Sequence, residues 1–243
     1  MSNRVFVHTH SVNILNELLI VDIITLLAGM SIALGNRPVS LTEPIRNATL
    51  GIRRGIMQRD TAKELLYKYV KGENYRTHSL MVEAIMRKLA VELEPENIEL
   101  WGIVGLLHDL DEESCDWASD MAVHGPASVE ILKKEGLGDE VLYNAIRAHN
   151  PLNGYEAGTP LEYACLAADP MSGFIAAIAK GYPDKKVASV KETSILKRFK
   201  EQRFAQGASR PYMLSIEKTG ISLEAFARLA LEALTEVADE VGL

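Results

Sequence analysis

From Asp60 onward, apolar residues recur at intervals of three and four, and this helical period constrains the fold more than any other feature. The first two apolar stripes consist of Leu65, Leu66, Tyr69 and Val70, and of Leu80, Met81, Ala84, Ile85 and Leu89. No alternating run of apolar and polar residues competes with this pattern. We therefore expect an all-α fold, built as a helical bundle.

Proline, glycine and capping residues predict where individual helices begin and end. Pro95 should open a helix that runs to Leu107, because proline is favoured in a first helical turn. Asp139 is a suitable N-cap for a helix that runs to His149. Four further helices are predicted. One starts at Gly125 and Pro126, and a second spans Leu161–Ala179. A third contains the basic residues Lys191, Lys197, Arg198, Lys200 and Arg203, and a fourth spans Ser222–Val241.

Composition divides the chain into three zones: an extension over 1–56, a helical core over 57–181 and C-terminal helices over 182–243 that should pack on the core. The extension contains an apolar stretch, which predicts an additional N-terminal helix followed by a linker. The most apolar part, 18–34, includes Asp22 and is shorter than the roughly 20 residues that a membrane-spanning helix needs. A buried or interfacial helix, or a segment outside the fold, is therefore favoured over a membrane anchor.

Charge and cysteine content argue against several classes of protein. The formal net charge of −7 disfavours a surface that follows duplex nucleic acid. The two cysteines, Cys115 and Cys165, lack the CxxC spacing of zinc ribbons and redox motifs. Reduced thiols are typical of cytoplasmic proteins, so we expect a cytoplasmic location. The sequence does not determine the oligomeric state.

Histidines and aspartates at predicted helix ends are the candidates for a functional site. His108 and Asp109 end a nearly all-apolar helix, and Asp169 interrupts another. Because burying an unpaired carboxylate costs on the order of several kcal/mol, each aspartate needs a cation or a donor network. A divalent metal would serve, and the candidate ligands are His78, His108, Asp109, His124, His149 and Asp169. The alternative is that each histidine is a hydrogen-bonded core residue, the commoner role for one standing alone.

The intervals between these candidates each accommodate one helix and a turn, so successive helices could present ligands to one centre. Six ligands exceed the four of a closed tetrahedral site, and the surplus suggests two ions that share a bridging carboxylate. The number of divalent ions, one or two, is left open. Imidazole and carboxylate ligands leave the choice among Mn, Fe, Co, Ni, Zn and Mg open.

A histidine, an HD pair and a later aspartate on separate helices resemble the HD superfamily of metal-dependent phosphohydrolases. The matching residues are His78, His108 with Asp109, and Asp169, and they should hold the first ion. His124 in VHGPASVEIL and His149 in IRAHN look like the added histidines of two-metal members, in which case they hold the second ion with Asp109 as the bridge. AADPMSGFIAA and SILKRFKEQRFAQGASR are similar to the bacterial HDIG-type branch.

The resemblance implies hydrolysis of a small phosphate ester, for example a nucleotide, by metal-activated water, with His108 and Asp109 as catalytic residues. HDLDEE replaces the HDIGK continuation of many relatives, so their phosphate-binding lysine is absent here. The substrate-binding cations should then be Arg76, Lys197 and Arg198, although a basic helix is more often a solvated face. Asp111 and Glu112 either orient metal-bound water or the histidines, or are exposed caps of the helix end. The alternative function is a non-catalytic metal-binding scaffold or signalling module.

Overall fold

The computed structural model describes residues 57–116 and 118–243, and every regular element in these residues is a helix. The α-helices are α1 (Arg59–Tyr69), α2 (Glu73–Leu93), α3 (Ile98–Leu107), α4 (Pro126–Lys134), α5 (Glu140–Ala148), α6 (Pro160–Lys180), α7 (Glu192–Phe199), α8 (Arg210–Met213), α9 (Leu223–Glu236) and α10 (Ala238–Val241). Short 3-10 helices span Pro95–Asn97, Met121–Val123, Pro151–Asn153, Val187–Ser189 and Leu214–Thr219. The all-α prediction is confirmed for this part of the chain.

Side-chain caps begin several of these helices, and two of the caps, Asp139 and Ser222, are those that the sequence predicts. The Asp139 carboxylate accepts hydrogen bonds from the backbone N–H groups of Val141 and Leu142, in the first turn of α5. Thr159 and Glu162 form a reciprocal capping box at the start of α6, and Ser222 caps α9. Pro95 begins a 3-10 turn, so α3 itself starts three residues later than predicted.

Two predicted helices are shorter in the structure. The basic helix, α7, spans Glu192–Phe199, so Lys191, Lys200 and Arg203 of the predicted helix lie outside it. Arg210 occupies a carbonyl oxygen that a longer helix would use, because its Nε donates to the carbonyl oxygen of Phe199 at 3.4 Å. The same guanidinium donates to the carbonyl oxygens of Phe204 and Ala205 in the non-helical segment that follows. The predicted C-terminal helix is divided into α9 and α10, because the backbone leaves the helical conformation at Val237.

Helix α3 forms the centre of the bundle, and every residue from Trp101 to its last residue, Leu107, is buried. It packs most extensively on α2 and also contacts α1, α5 and α6. The contact with α2 is close because Gly105 has no side chain: a Cβ there would lie 2.8 Å from the backbone nitrogen of Glu83. Helix α9 covers α2 and α6, so the C-terminal helices share this core. The position of α3 in turn places the two residues that follow it, His108 and Asp109.

The expected N-terminal apolar helix and linker, and the 18–34 segment considered as a membrane anchor, lie outside the described residues. Among the described helices, α6 alone has the length and apolar composition that could cross a membrane. Most of it is buried against the other helices. In the bundle it therefore acts as a core helix.

Candidate metal centre

The six candidate ligands meet at one place in the bundle, although they come from five different parts of the chain. Two groups of them could each hold an ion, because the ligand atoms within each group lie within 4.8 Å of one another. The first group is His78, His108 and Asp169, and the second is Asp109, His124 and His149. This division agrees with the two sets that the family resemblance implies, except that Asp109, expected in both sets, is grouped only with His124 and His149.

Asp109 belongs to the second group but also faces the first, because each of its carboxylate oxygens faces a different pair of histidines. Oδ2 is 3.4 Å from Nε2 of His78 and 3.2 Å from Nε2 of His108. Oδ1 is 3.3 Å from Nε2 of His124 and 3.4 Å from Nε2 of His149. The carboxylate therefore has the position that a bridging ligand would need.

Backbone carbonyl groups orient two of the imidazole rings. Nδ1 of His108 lies 2.8 Å from the carbonyl oxygen of Gly105, and Nδ1 of His149 contacts that of Ile146. A carbonyl oxygen can only accept, so Nδ1 carries the ring proton in both residues. Nε2 is left with its lone pair directed into the centre, as metal ligation requires.

Side chains orient the other two rings in the same way. Nδ1 of His124 donates to Oδ1 of Asp111 at 2.9 Å. Nδ1 of His78 lies 3.1 Å from the Ser172 hydroxyl, which itself donates to the Asp169 carbonyl oxygen at 2.9 Å. Because that hydroxyl proton is used, Ser172 accepts from His78. All four imidazoles thus direct Nε2 into the centre.

Unsatisfied polar atoms show that these residues fit a cation. Nε2 of His108 and Oδ1 of Asp109 are buried without a hydrogen-bond partner. Nε2 of His124 lies 3.0 Å from Nε2 of His149, and two lone pairs at that distance repel each other unless a cation or a proton lies near them. Buried polar groups normally have a bonding partner, and a divalent ion would be the missing partner for these nitrogen and oxygen atoms.

Without an ion, protons supply the positive charge. Burial opposes protonation of His78, but hydrogen bonds to Asp109 and Asp169 raise its pKa to about 10. Burial likewise opposes protonation of His124, yet hydrogen bonds to Asp109 and Asp111 raise the pKa of His124 to about 11. Burial and repulsion from the other histidines lower the pKa of His149 to about 4. At neutral pH, a bound ion would therefore displace protons.

Asp111 supports this centre from behind and is fully buried. Its Oδ2 accepts from the backbone N–H groups of Gly125 and Ser128, at 2.8 and 3.2 Å. The Ser128 hydroxyl donates to the carbonyl oxygen of His108 at 3.0 Å. Of the predicted roles for Asp111, the structure supports orienting a histidine, and the exposed-cap alternative is wrong because the side chain is buried.

Glu112, its neighbour, is half-buried. Burial and the nearby Asp109 carboxylate raise its pKa to about 7.

Sequence reasoning missed the two supporting serines, Ser128 and Ser172, because a hydroxyl inside a helix carries no signal of its partner.

The structure does not bring the three predicted substrate-binding cations to this centre. Arg76 lies two residues before His78, so it points about 200° away around α2. Its guanidinium donates to the carbonyl oxygen of Val70 and stacks on Tyr67, at the end of α1.

Lys197 and Arg198 instead line a cavity of about 260 Å³ near Ile178, close to the end of α6. Ile178 lies nine residues after Asp169, which corresponds to about 13 Å along a helix. Binding of phosphate at the centre would therefore need other residues.

Comparison with known families supports the same assignment. Residues 75–169 match the family model of the HD domain, a range that includes all six candidate ligands. HD domains are typically metal-dependent hydrolases. No significant match to the chain was found among curated proteins or among solved structures. The match supports the HD superfamily, whereas the HDIG-type branch stays a prediction.

Proposed function

We propose that this chain is a metal-dependent phosphohydrolase that cleaves a small phosphate ester, such as a nucleotide, at the centre between α2, α3, α5 and α6. The observation that carries the proposal is the shared orientation of the four imidazoles. Each Nδ1 is engaged by an acceptor outside the centre, and each Nε2 faces an oxygen or nitrogen of another candidate ligand. A set of unrelated core histidines has no physical reason to adopt one orientation.

The ligands divide between two ions. His78, His108, Asp109 and Asp169 would hold the first, and His124 and His149 would hold the second, with Asp109 shared. Divalent ions bound there lower the pKa of water and neutralise charge on the phosphoryl oxygens.

The remaining residues position these ligands. Asp109 sets the separation of the two groups, because one oxygen faces each of them. Asp111 and Ser172 hold His124 and His78 in the orientation that leaves Nε2 available. Outer partners of this kind commonly change metal affinity by about 10–100-fold when they are removed.

The test combines elemental analysis with hydrolysis of a generic aryl phosphate in the presence of Mn²⁺, Fe²⁺, Co²⁺, Ni²⁺, Zn²⁺ or Mg²⁺. The wild-type chain should bind metal and turn over the ester. Asp109→Ala should lose both ions and all activity, whereas His149→Ala should lose the second ion first. Asp239→Asn is the matched control, because this carboxylate is exposed on α10.

Three results would count against the proposal. No bound metal and no turnover with any ion would remove it. Identical behaviour of the Asp109 and His149 variants would remove the division into two ions. Bound metal without turnover on a panel of nucleotides and sugar phosphates would favour the non-catalytic scaffold.

A further inference from the structure

A second set of metal-ligating side chains lies immediately outside the six-residue centre. Asp111, Cys115 and His124 each offer one ligand atom, and these atoms lie within 4.8 Å of one another. Asp111 is buried, whereas Cys115 and His124 are partly exposed, so the set can be reached from solvent. Unlike the two groups of the centre, it includes a sulfur ligand.

Local backbone structure explains why the cysteine and the aspartate meet. After α3 the chain makes one further turn, in which the backbone nitrogen of Cys115 donates to the carbonyl oxygen of Asp111 at 3.0 Å. Residues four apart in such a turn lie on the same face. His124 approaches from the loop before α4, with Nδ1 2.9 Å from Oδ1 of Asp111.

The other oxygen of Asp111 is already engaged. Oδ2 accepts from the backbone N–H groups of Gly125 and Ser128 at the beginning of α4. These contacts hold the carboxylate so that Oδ1 stays on the side of His124. The oxygen and nitrogen ligands are therefore ordered before any ion arrives, which reduces the entropic cost of binding.

We propose that Asp111, Cys115 and His124 bind a thiophilic divalent ion such as Zn²⁺ or Cd²⁺, and that this ion competes with the centre for His124. A set of sulfur, nitrogen and oxygen ligands selects such ions over Mg²⁺ or Mn²⁺. The three residues, hereafter the outer site, leave a further coordination position for water.

Competition follows from the chemistry of the shared imidazole. A neutral imidazole has one nitrogen lone pair, so His124 can serve the outer site through Nδ1 or the centre through Nε2. In the metal-free chain His124 is protonated on both nitrogens, so an ion that binds at the outer site displaces the Cys115 thiol proton and the Nδ1 proton to solvent, and the proton on Nε2 stays. The protonated Nε2 then donates a hydrogen bond to Oδ1 of Asp109, 3.3 Å away. Binding at the outer site thus converts a ligand of the centre into a hydrogen-bond donor.

The outer site itself does not depend on phosphohydrolase activity, whereas the competition rests on the proposed second ion of the centre. The first experiment therefore measures metal–sulfur contact alone. Metal-free full-length chain is titrated with Co²⁺ and Cd²⁺ while the thiolate-to-metal charge-transfer absorption is recorded. The band should appear in the wild type and be lost in Cys115→Ser.

Cys165→Ser is the matched control, because Cys165 is a fully buried thiol on α6 close to Asp169. This variant should retain the band. A band that survives in Cys115→Ser, or disappears in Cys165→Ser, would overturn the outer site. Absence of the band from the wild type would also overturn it.

A second measurement covers the case in which Cys115→Ser is poorly folded. Cys115 in the wild type is alkylated with and without Cd²⁺, and its modification is quantified by mass spectrometry. Cd²⁺ should protect Cys115, whereas Mg²⁺ should not. Equal modification with and without Cd²⁺ would contradict the proposal.

The competition is tested on chain loaded with Mn²⁺, by electron paramagnetic resonance. Cd²⁺ at concentrations that saturate the charge-transfer band should release part of the bound Mn²⁺ from the wild type, and none from Cys115→Ser. Equal release from both proteins, or a full band with all Mn²⁺ retained, would overturn the competition. A chain that binds Cd²⁺ through Cys115 but hydrolyses no phosphate ester retains the outer site and loses only the proposed function.

Discussion

The close contact between α3 and α2 leads to a prediction whose size follows from the structure. A Cβ atom on Gly105 would lie 2.8 Å from the nitrogen and 2.9 Å from the Cα of Glu83. Both are backbone atoms inside the 21-residue helix α2, so no side-chain rotation can relieve the contact. Gly105→Ala should therefore force the two helices apart.

The expected loss combines two opposing effects. Overpacking of a protein core costs about 1–3 kcal/mol, and a contact between two backbones belongs at the upper end of that range. Alanine is favoured over glycine inside a helix by about 1 kcal/mol, which offsets part of the loss. The net destabilisation is about 2 kcal/mol, or about 4–8 °C in melting temperature for a chain of this size.

Gly173→Ala is the matched control, because Gly173 also lies inside a helix but a Cβ there would have no atom within 4 Å. Only the preference of alanine over glycine inside a helix applies to this variant, so its melting temperature should rise by about 2–4 °C. Thermal unfolding of the metal-free chain, followed by circular dichroism, measures both variants. Equal stability of the two would refute the reasoning about the helix contact. Gly105→Ala should also bind metal more weakly, because His108 and Asp109 directly follow α3.

Three further predictions concern the centre. In calorimetric titrations, Asp111→Asn should weaken binding of the second ion by about 10–100-fold and leave binding of the first ion unchanged, because an amide is a poorer acceptor for His124. An equal loss of affinity for both ions would contradict this prediction. Metal binding should release protons, and the metal affinity should increase between about pH 6 and 9. The reason is that the raised pKa values of about 10 for His78 and about 11 for His124 keep both residues protonated in the metal-free chain. Calorimetry in buffers of different ionisation enthalpy measures the proton release, and a metal affinity that does not depend on pH would refute the prediction.

The third concerns stability of the metal-free chain: the raised pKa values of His78 and His124 contribute stability that is complete below 6.5 and lost as the pH rises through about 10 and 11. The lowered pKa of His149 contributes stability that is complete above 6.5 and lost as the pH falls through about 4, so the melting temperature should be highest near pH 6.5. His149→Gln should reduce the decline on the acid side, and an unchanged pH profile would show that His149 is not its source.

Local signals in the sequence were sufficient for the helices and for the candidate ligands. The period of apolar residues and the caps Asp139 and Ser222 act over a few residues, so they predict helix positions without knowledge of the fold. The same reasoning selected His108 and Asp109, because an ionisable pair that ends an apolar helix needs a partner wherever that helix packs. The same reasoning was wrong about the length of the basic helix, because Arg210, which lies outside the predicted helix, donates to the Phe199 carbonyl oxygen that a longer helix would use.

Only the tertiary structure decided how these residues face one another. Ser172 meets His78 across 94 positions of sequence, and nothing near either residue indicates the contact. Arg76 points away from the centre because side chains two residues apart on a helix differ in direction by about 200°, although the residues are close in sequence. Hydrogen-bond partners and shared ligands depend on where helices cross. That geometry is determined by packing between distant segments, such as the approach of Gly105 to α2.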